Sequence, residues 1–214
     1  MLSTWEVVEM TIEEKNLPTN KKKEKAVFLD RDGVLIEDVN YLSRVEQISI
    51  LDGVEDGLLR LQDSGFHLVV TTNQAGIARA LFTESTLNEI HSYLDNLFKL
   101  RGIHVSMWNY CPHHPSIGTD IYKVSCHCRK PEPGMLLKAS SELNLDLEKS
   151  YLIGDKISDI EAANRVMVKS ILVRTGYGLE HEKLVKASKM KIFGIVKDFL
   201  EATNLILVND SFSK

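Results

Sequence analysis

Ala26-Val27-Phe28-Leu29-Asp30-Arg31-Asp32-Gly33 is an apolar run ending in two carboxylates one residue apart, with a glycine after them. A strand over the first four residues delivers Asp30 and Asp32 to its carboxyl end, where both reach one small volume. Two like charges held together are costly unless a cation or a shared proton offsets them, so the pair implies chemistry more than stability. The same letters also suit a plain polar turn. A helix-loop-helix calcium loop is excluded, because the glycine comes too early and no ladder of ligands follows.

Three further apolar runs end in similar fashion. Residues 68–71 lead into Thr72-Asn73-Gln74-Ala75-Gly76, 103–108 into Asn109-Tyr110-Cys111-Pro112-His113-His114, and 151–153 into Gly154-Asp155-Lys156. These are the residue types that phosphate chemistry needs. A phosphate ester dianion repels nucleophiles until its charge is offset, commonly by Mg²⁺ on a few carboxylates. Asp30 and Asp155 suit that metal. An Asp carboxylate can then act as nucleophile and form an aspartyl-phosphate. Asp32 is placed for acid and base work, protonating the leaving oxygen and then activating water. Thr72 can hydrogen-bond the transferring group, although capping a following helix is an alternative. Lys130 adds a compact positive charge. Asp159 is read as a helix cap or a support rather than a ligand.

All three cysteines lie between positions 111 and 128, in Cys111-Pro112-His113-His114 and Cys126-His127-Cys128-Arg129-Lys130. An odd, clustered set is poor for a disulfide framework and good for a metal. Two pairs of soft ligands, each pair one residue apart, can close a tetrahedral Cys₃His zinc site of the structural kind. His113 fits the pairing better than His114 or His127, which stay open. The weakly patterned segment 115–125 is expected to be a loop that zinc staples. Arg129 and Lys130 follow the last cysteine directly, so the metal would aim cationic groups at a site remote in sequence.

The elements that must position these groups show in the periodicity. Short β-rich runs at 26–29, 67–71, 103–108, 150–153 and 169–173 alternate with helical spacing at 54–64, 84–100, 134–143 and 158–166. This α/β alternation predicts a parallel sheet with helices on both faces and a site at the carboxyl ends of its strands. The chain has 214 residues, 43% of them hydrophobic and 26% charged, as expected of one globular domain. The formal net charge of −4 argues against a nucleic-acid surface. No apolar run approaches spanning length, and the acidic amino terminus does not read as a signal peptide, so a cytoplasmic location with no membrane partner is expected. The organisation expected is an extension at 1–24, one domain at 25–205 and a tail at 206–214.

Residues 28–34, 72–79, 111–115, 128–135, 154–156 and 173–176 together resemble the signatures of the haloacid dehalogenase (HAD) superfamily phosphatases. Within it they resemble the zinc-bearing group that holds the heptose-bisphosphate and histidinol-phosphate phosphatases. The resemblance implies a Rossmann-like HAD fold with a zinc-stapled loop in place of a large cap domain, and a small sugar bisphosphate as substrate of a monomeric enzyme. It implies Asp30 as nucleophile and Asp32 as proton donor, with Mg²⁺ on Asp30, Asp155 and the Asp32 carbonyl. Thr72 and Lys130 would stabilise the phosphoryl group. Asp38, Val39, Asn40, Tyr41, Asn73, Gln74, Ala75, Arg129 and Lys156 would line the substrate pocket, and Cys111, His113, Cys126 and Cys128 would bind zinc. The long loop between the zinc half-sites resembles the heptose group more than the histidinol group. One departure is Ala80-Leu81-Phe82, where a glycine is expected.

Overall fold

Strands apolar on both faces demand cover on both sides, and the chain supplies it. The structure is a computed structural model that describes residues 22–119 and 121–212. It contains strands β1 Lys25–Leu29, β2 Phe66–Asn73, β3 Val105–Cys111, β4 Tyr151–Gly154, β5 Lys169–Val173 and β6 Gly194–Val196. The helices are α1 Val54–Asp63, α2 Glu84–Leu100, α3 Gly134–Glu142, α4 Ile157–Asn164, α5 Gly178–Ala187 and α6 Phe199–Ser211. All strand pairs are parallel, in the order β3-β2-β1-β4-β5-β6.

Alternate side chains of each strand serve opposite layers. Val27 and Leu29 pack with Leu58 of α1, Leu94 and Phe98 of α2 and Ile206 of α6. Ala26 and Phe28 face the other way, onto Leu136 and Ala139 of α3 and Ala163 of α4. The α4–α5 side closes over β5 through Ile160, Leu172 and Val185. The strand order reverses between β1 and β4, so a crevice opens at their carboxyl ends, where such sheets place ligands.

The expected strands and helices are present within a few residues. β6, α5 and α6 are additional. β6 is three half-buried residues, and α5 buries only Gly178 and Val185, so neither carries a strong pattern. The expected tail at 206–214 is corrected: α6 runs on to Ser211, with Ile206 fully buried. Asn209 Nδ2 donates to the Tyr151 hydroxyl, and Asp210 pairs with Lys25 at 2.7 Å, fastening the helix to the start of the sheet. At the other end, residues 1–21 of the expected extension lie outside the described residues. Glu24 already belongs to the fold, since its N–H donates to Asn144 O at 3.0 Å and its carbonyl accepts from Asp146 N at 2.6 Å.

Two long connections stand over the strand ends, 30–53 after β1 and 112–133 after β3. Among the described residues neither holds a helix longer than one turn, so no cap domain is present. Ala80 adopts a left-handed backbone (φ 56°) at the departure noted above, a conformation that suits glycine better. Among the described residues no helix is long and apolar enough to cross a membrane.

Candidate active site

β1 and β4 lie side by side and lead directly into Asp30 and Asp155, and α4 adds Asp159 from its first turn. Asp30 is 5% exposed and the other two are fully buried. One carboxylate oxygen from each lies within 4.8 Å of the others. Gly33 makes this approach possible: its φ is 81°, and a Cβ there would run into the Asp155 carboxylate. Asp155 Oδ2 accepts from Tyr177 N at 2.9 Å, whereas its buried Oδ1 has no hydrogen-bond partner among the described residues. Burial and then Asp30 push the Asp155 carboxyl up to about 7. Three buried carboxylates with an orphaned oxygen form a hard, oxygen-only donor set that fits a divalent cation of the Mg²⁺ type.

Two lysines meet this cluster. Lys130, 3% exposed, places Nζ 3.1 Å from Asp30 Oδ1 and 2.6 Å from Asp159 Oδ1, and donates to Thr71 O at 2.7 Å. Burial opposes its charge, but Asp159 and Asp30 outweigh it and hold the ammonium above its ordinary range. Lys156 pairs with Asp38 at 3.3 Å and Asp155 at 3.5 Å, and its charge is likewise held against burial, by Asp30, Asp155 and Asp38. Asp159 also accepts from Lys156 N at 3.0 Å, so it caps α4 while it braces Lys130.

Lys130 reaches β1 because two clamps hold its loop. Asn73, the last residue of β2, accepts from Lys130 N at 3.0 Å and donates to Lys130 O at 2.9 Å. The second clamp is the cysteine cluster. Cys111, His113, Cys126 and Cys128 bring one ligating atom each to within 4.8 Å of the others. The separations include Cys111 Sγ to Cys126 Sγ at 3.5 Å and Cys128 Sγ to Cys126 Sγ at 3.3 Å, with His113 Nδ1 3.4 Å from Cys128 Sγ. A tetrahedral zinc would have edges of roughly 3.6–3.8 Å. His114 is turned away, its Nδ1 accepting from Ser116 N at 3.2 Å and Ile117 N at 3.1 Å, and His127 is exposed outside the cluster. Arg129 Nη1 donates to His113 O at 3.1 Å, so it is tied to this corner. Across the loop, Tyr110 and Tyr122 both donate to Glu84, at 2.5 and 2.7 Å.

Asp32 takes a different setting. It is partly exposed and held by Arg31 and by Gln74 Nε2 at 2.9 Å. The same Gln74 amide donates to Thr72 Oγ1 at 2.7 Å. Thr72 is buried near the end of β2 and caps no helix; Thr83 caps α2.

The cleft above these groups has a volume of about 340 Å³, and Asp30, Asp32, Thr72, Lys130 and Lys156 line it. So do Asp38, Asn40, Tyr41, Asn73, Gln74, Ala75 and Arg129. Val39 does not: it packs against the main core, since a β-branched apolar side chain between polar loop residues turns inward. Arg31, Leu42, Gly76, Ser158 and Tyr177 also line the cleft, although the sequence does not mark them as lining residues. Tyr177 directly follows the Val173-Arg174-Thr175-Gly176 motif, and its ring lies 4.6 Å from Lys156 Nζ. Asp159 was read as a support, and its ion pair to Lys130 shows only in three dimensions.

A parallel sheet that offers Asp30, Thr72 and Asp155 at three strand ends, with a buried lysine across them, defines a phosphatase of the HAD class. Comparison with known proteins agrees. A HAD-hydrolase-like family model matches residues 127–202. The D-glycero-β-D-manno-heptose-1,7-bisphosphate 7-phosphatase of Photorhabdus laumondii is 43% identical over 152 residues, which are 71% of this chain and 81% of that protein. Its Escherichia coli K12 counterpart is 42% identical over 156 residues, 72% of this chain and 82% of its own. The crystal structure of D,D-heptose 1,7-bisphosphate phosphatase from B. bronchiseptica, complexed with magnesium and phosphate, aligns with a TM-score of 0.75 at 30% identity, covering 86% of this chain and 99% of that one. The chain belongs to the D-glycero-β-D-manno-heptose-1,7-bisphosphate 7-phosphatase family and is a phosphoric monoester hydrolase.

Proposed function

We propose that this chain removes the 7-phosphate of D-glycero-D-manno-heptose 1,7-bisphosphate through an aspartyl-phosphate on Asp30. The observation that carries the reading is the pairing of Asp30 with buried Lys130, beneath a cleft that Arg129 and Lys156 also line. A substrate with two phosphates needs cations both at the reacting phosphorus and away from it. The Asp30 carboxylate attacks phosphorus while Asp32 gives a proton to the departing sugar oxygen, so that the P–O bond breaks towards a neutral alcohol. Asp32 then takes a proton from the water that attacks the same phosphorus, which frees phosphate and restores Asp30. Thr72 and Lys130 hold the phosphoryl oxygens during both transfers. Mg²⁺ on Asp30, Asp155 and the Asp32 carbonyl supplies the remaining positive charge when bound.

The same reading makes the enzyme a cytoplasmic monomer acting on a small sugar bisphosphate, on the way to nucleotide-activated heptose. The net charge of −4 supports the absence of a nucleic-acid partner. Steady-state kinetics on both heptose anomers, histidinol phosphate and a panel of other sugar phosphates tests the substrate. A heptose bisphosphate is expected to give the highest kcat/KM, and a clear preference for any other compound on the panel would overturn that assignment.

Zinc on Cys111, His113, Cys126 and Cys128 is the second part of the reading, supported by the four-atom cluster and by the continuity from Cys128 to Lys130. Elemental analysis is expected to find about one zinc per chain. Cys126→Ser should lose the metal and lower both activity and Tm, a loss of ~2 kcal/mol corresponding to about 4–8 °C for a chain of this size. A zinc-free preparation with full activity and unchanged Tm would contradict the structural role.

A further inference from the structure

Among the described residues Arg31 is the largest fully buried side chain, and it forms part of the cleft floor. Its Nη2 reaches both oxygens of Asp32, at 3.0 and 2.9 Å, and its Nε lies 3.2 Å from Oδ1. Its Nη1 meets His91 Nε2 at 3.2 Å. Burial, with Arg31 second, pushes His91 down to about 3, so the ring is neutral and its Nε2 accepts from the guanidinium. His91 projects from α2 and lies against Trp108, ring centroids 4.9 Å apart, so the acceptor is itself fixed. The chain from α2 through His91 and Arg31 to Asp32 leads from the packed core to a carboxylate that, among the described residues, is otherwise held only by Gln74. The glycine after Asp32 imposes little steric restraint of its own. A planar guanidinium fixes a carboxylate at two points, which an amide or an ammonium does not.

We propose that Arg31, braced by His91, is a positioning residue that sets the direction in which the Asp32 carboxylate faces the leaving group. This rests on the proposed acid role of Asp32 and extends it to the arginine beside it on the cleft floor and to the histidine behind that arginine. The role differs from a merely structural ion pair in its dependence on the leaving group. An alkoxide leaving from a sugar needs the proton that Asp32 delivers, whereas p-nitrophenolate departs readily without one. Since kcat/KM reports phosphoryl transfer to Asp30 and no later step, it isolates the acid role from the base role in hydrolysis of the phosphoenzyme.

The test compares kcat/KM for the sugar phosphate that the wild-type protein turns over fastest with that for p-nitrophenyl phosphate. Arg31→Met is expected to lose about 10²-fold on the sugar phosphate, the lower end of what a general acid contributes, and only a few-fold on the aryl ester. Arg31→Lys should recover part of the difference. His91→Leu leaves Asp32 and Arg31 in place and should show the same selectivity at smaller size, so it carries the test if Arg31→Met does not fold. Equal losses on the two substrates, or none on either, would overturn the positioning role. A wild-type protein that releases phosphate from neither compound would overturn the phosphatase reading, and this inference with it.

Discussion

Asp30→Asn is expected to abolish turnover, with kcat falling by about 10⁴-fold or more, the scale on which loss of a covalent nucleophile registers. The amide keeps the shape of the carboxylate and can still accept the 2.8 Å hydrogen bond from Arg31 N, so the site is expected to stay assembled. What disappears is the anionic oxygen that attacks phosphorus. The substitution should leave the fold stable, because Lys130 keeps its 2.6 Å ion pair with Asp159 and neutralising Asp30 relieves its repulsion of Asp155. Thermal unfolding within a few degrees of wild type, beside the loss of activity, separates a missing nucleophile from a damaged scaffold. Near wild-type turnover by the variant would remove Asp30 from the mechanism.

Lys130→Met should damage both activity and stability. Methionine fills a similar volume and removes the ammonium that Asp30 and Asp159 share. Breaking a buried ion pair by deleting one partner typically costs about 3–5 kcal/mol, because the remaining charge is stranded. Partial protonation of Asp159, already pushed upward by burial and Asp30, should hold the loss near the lower end. Catalysis should fall by about 10²–10³-fold, as for removal of one group that stabilises transition-state charge. The carboxylate cluster then carries one more uncompensated negative charge, so added Mg²⁺ should raise the Tm of the variant more than that of wild type. Calorimetric unfolding with and without Mg²⁺ checks this, and equal increments in the two proteins would contradict the shared-charge account.

These effects depend on groups that differ in how plainly the sequence shows them. Asp30 and Asp155 each follow an apolar strand and Thr72 lies at the end of one, and a buried parallel strand is an unbroken apolar run, so strand and site residue are read together. Lys130 is visible only through the cysteine cluster that precedes it, because nothing local shows that Asn73 grips its backbone from the end of β2. The choice among His113, His114 and His127 turned on the Ser116 and Ile117 amides that occupy His114. Val39 misled because membership of a lining loop says nothing of which side chains turn inward. Tyr177 and the Arg31–His91 contact were hidden for a shared reason: each joins elements far apart in the chain, and neither has a spacing that a periodic pattern would reveal. The carboxyl-terminal third was hardest, since α5 buries little and the buried face of α6 includes Thr203 as well as apolar residues.

Chemical trapping of the phosphoenzyme tests the central claim most directly. Borohydride reduces an acyl phosphate but not a free carboxylate, so quenching the enzyme with it during turnover of the heptose bisphosphate should convert Asp30 to homoserine. Peptide mass spectrometry is expected to find that change at position 30 and at no other aspartate, and to find none without substrate. Continued hydrolysis with Asp30 unmodified, or reduction at a different carboxylate, would contradict the account.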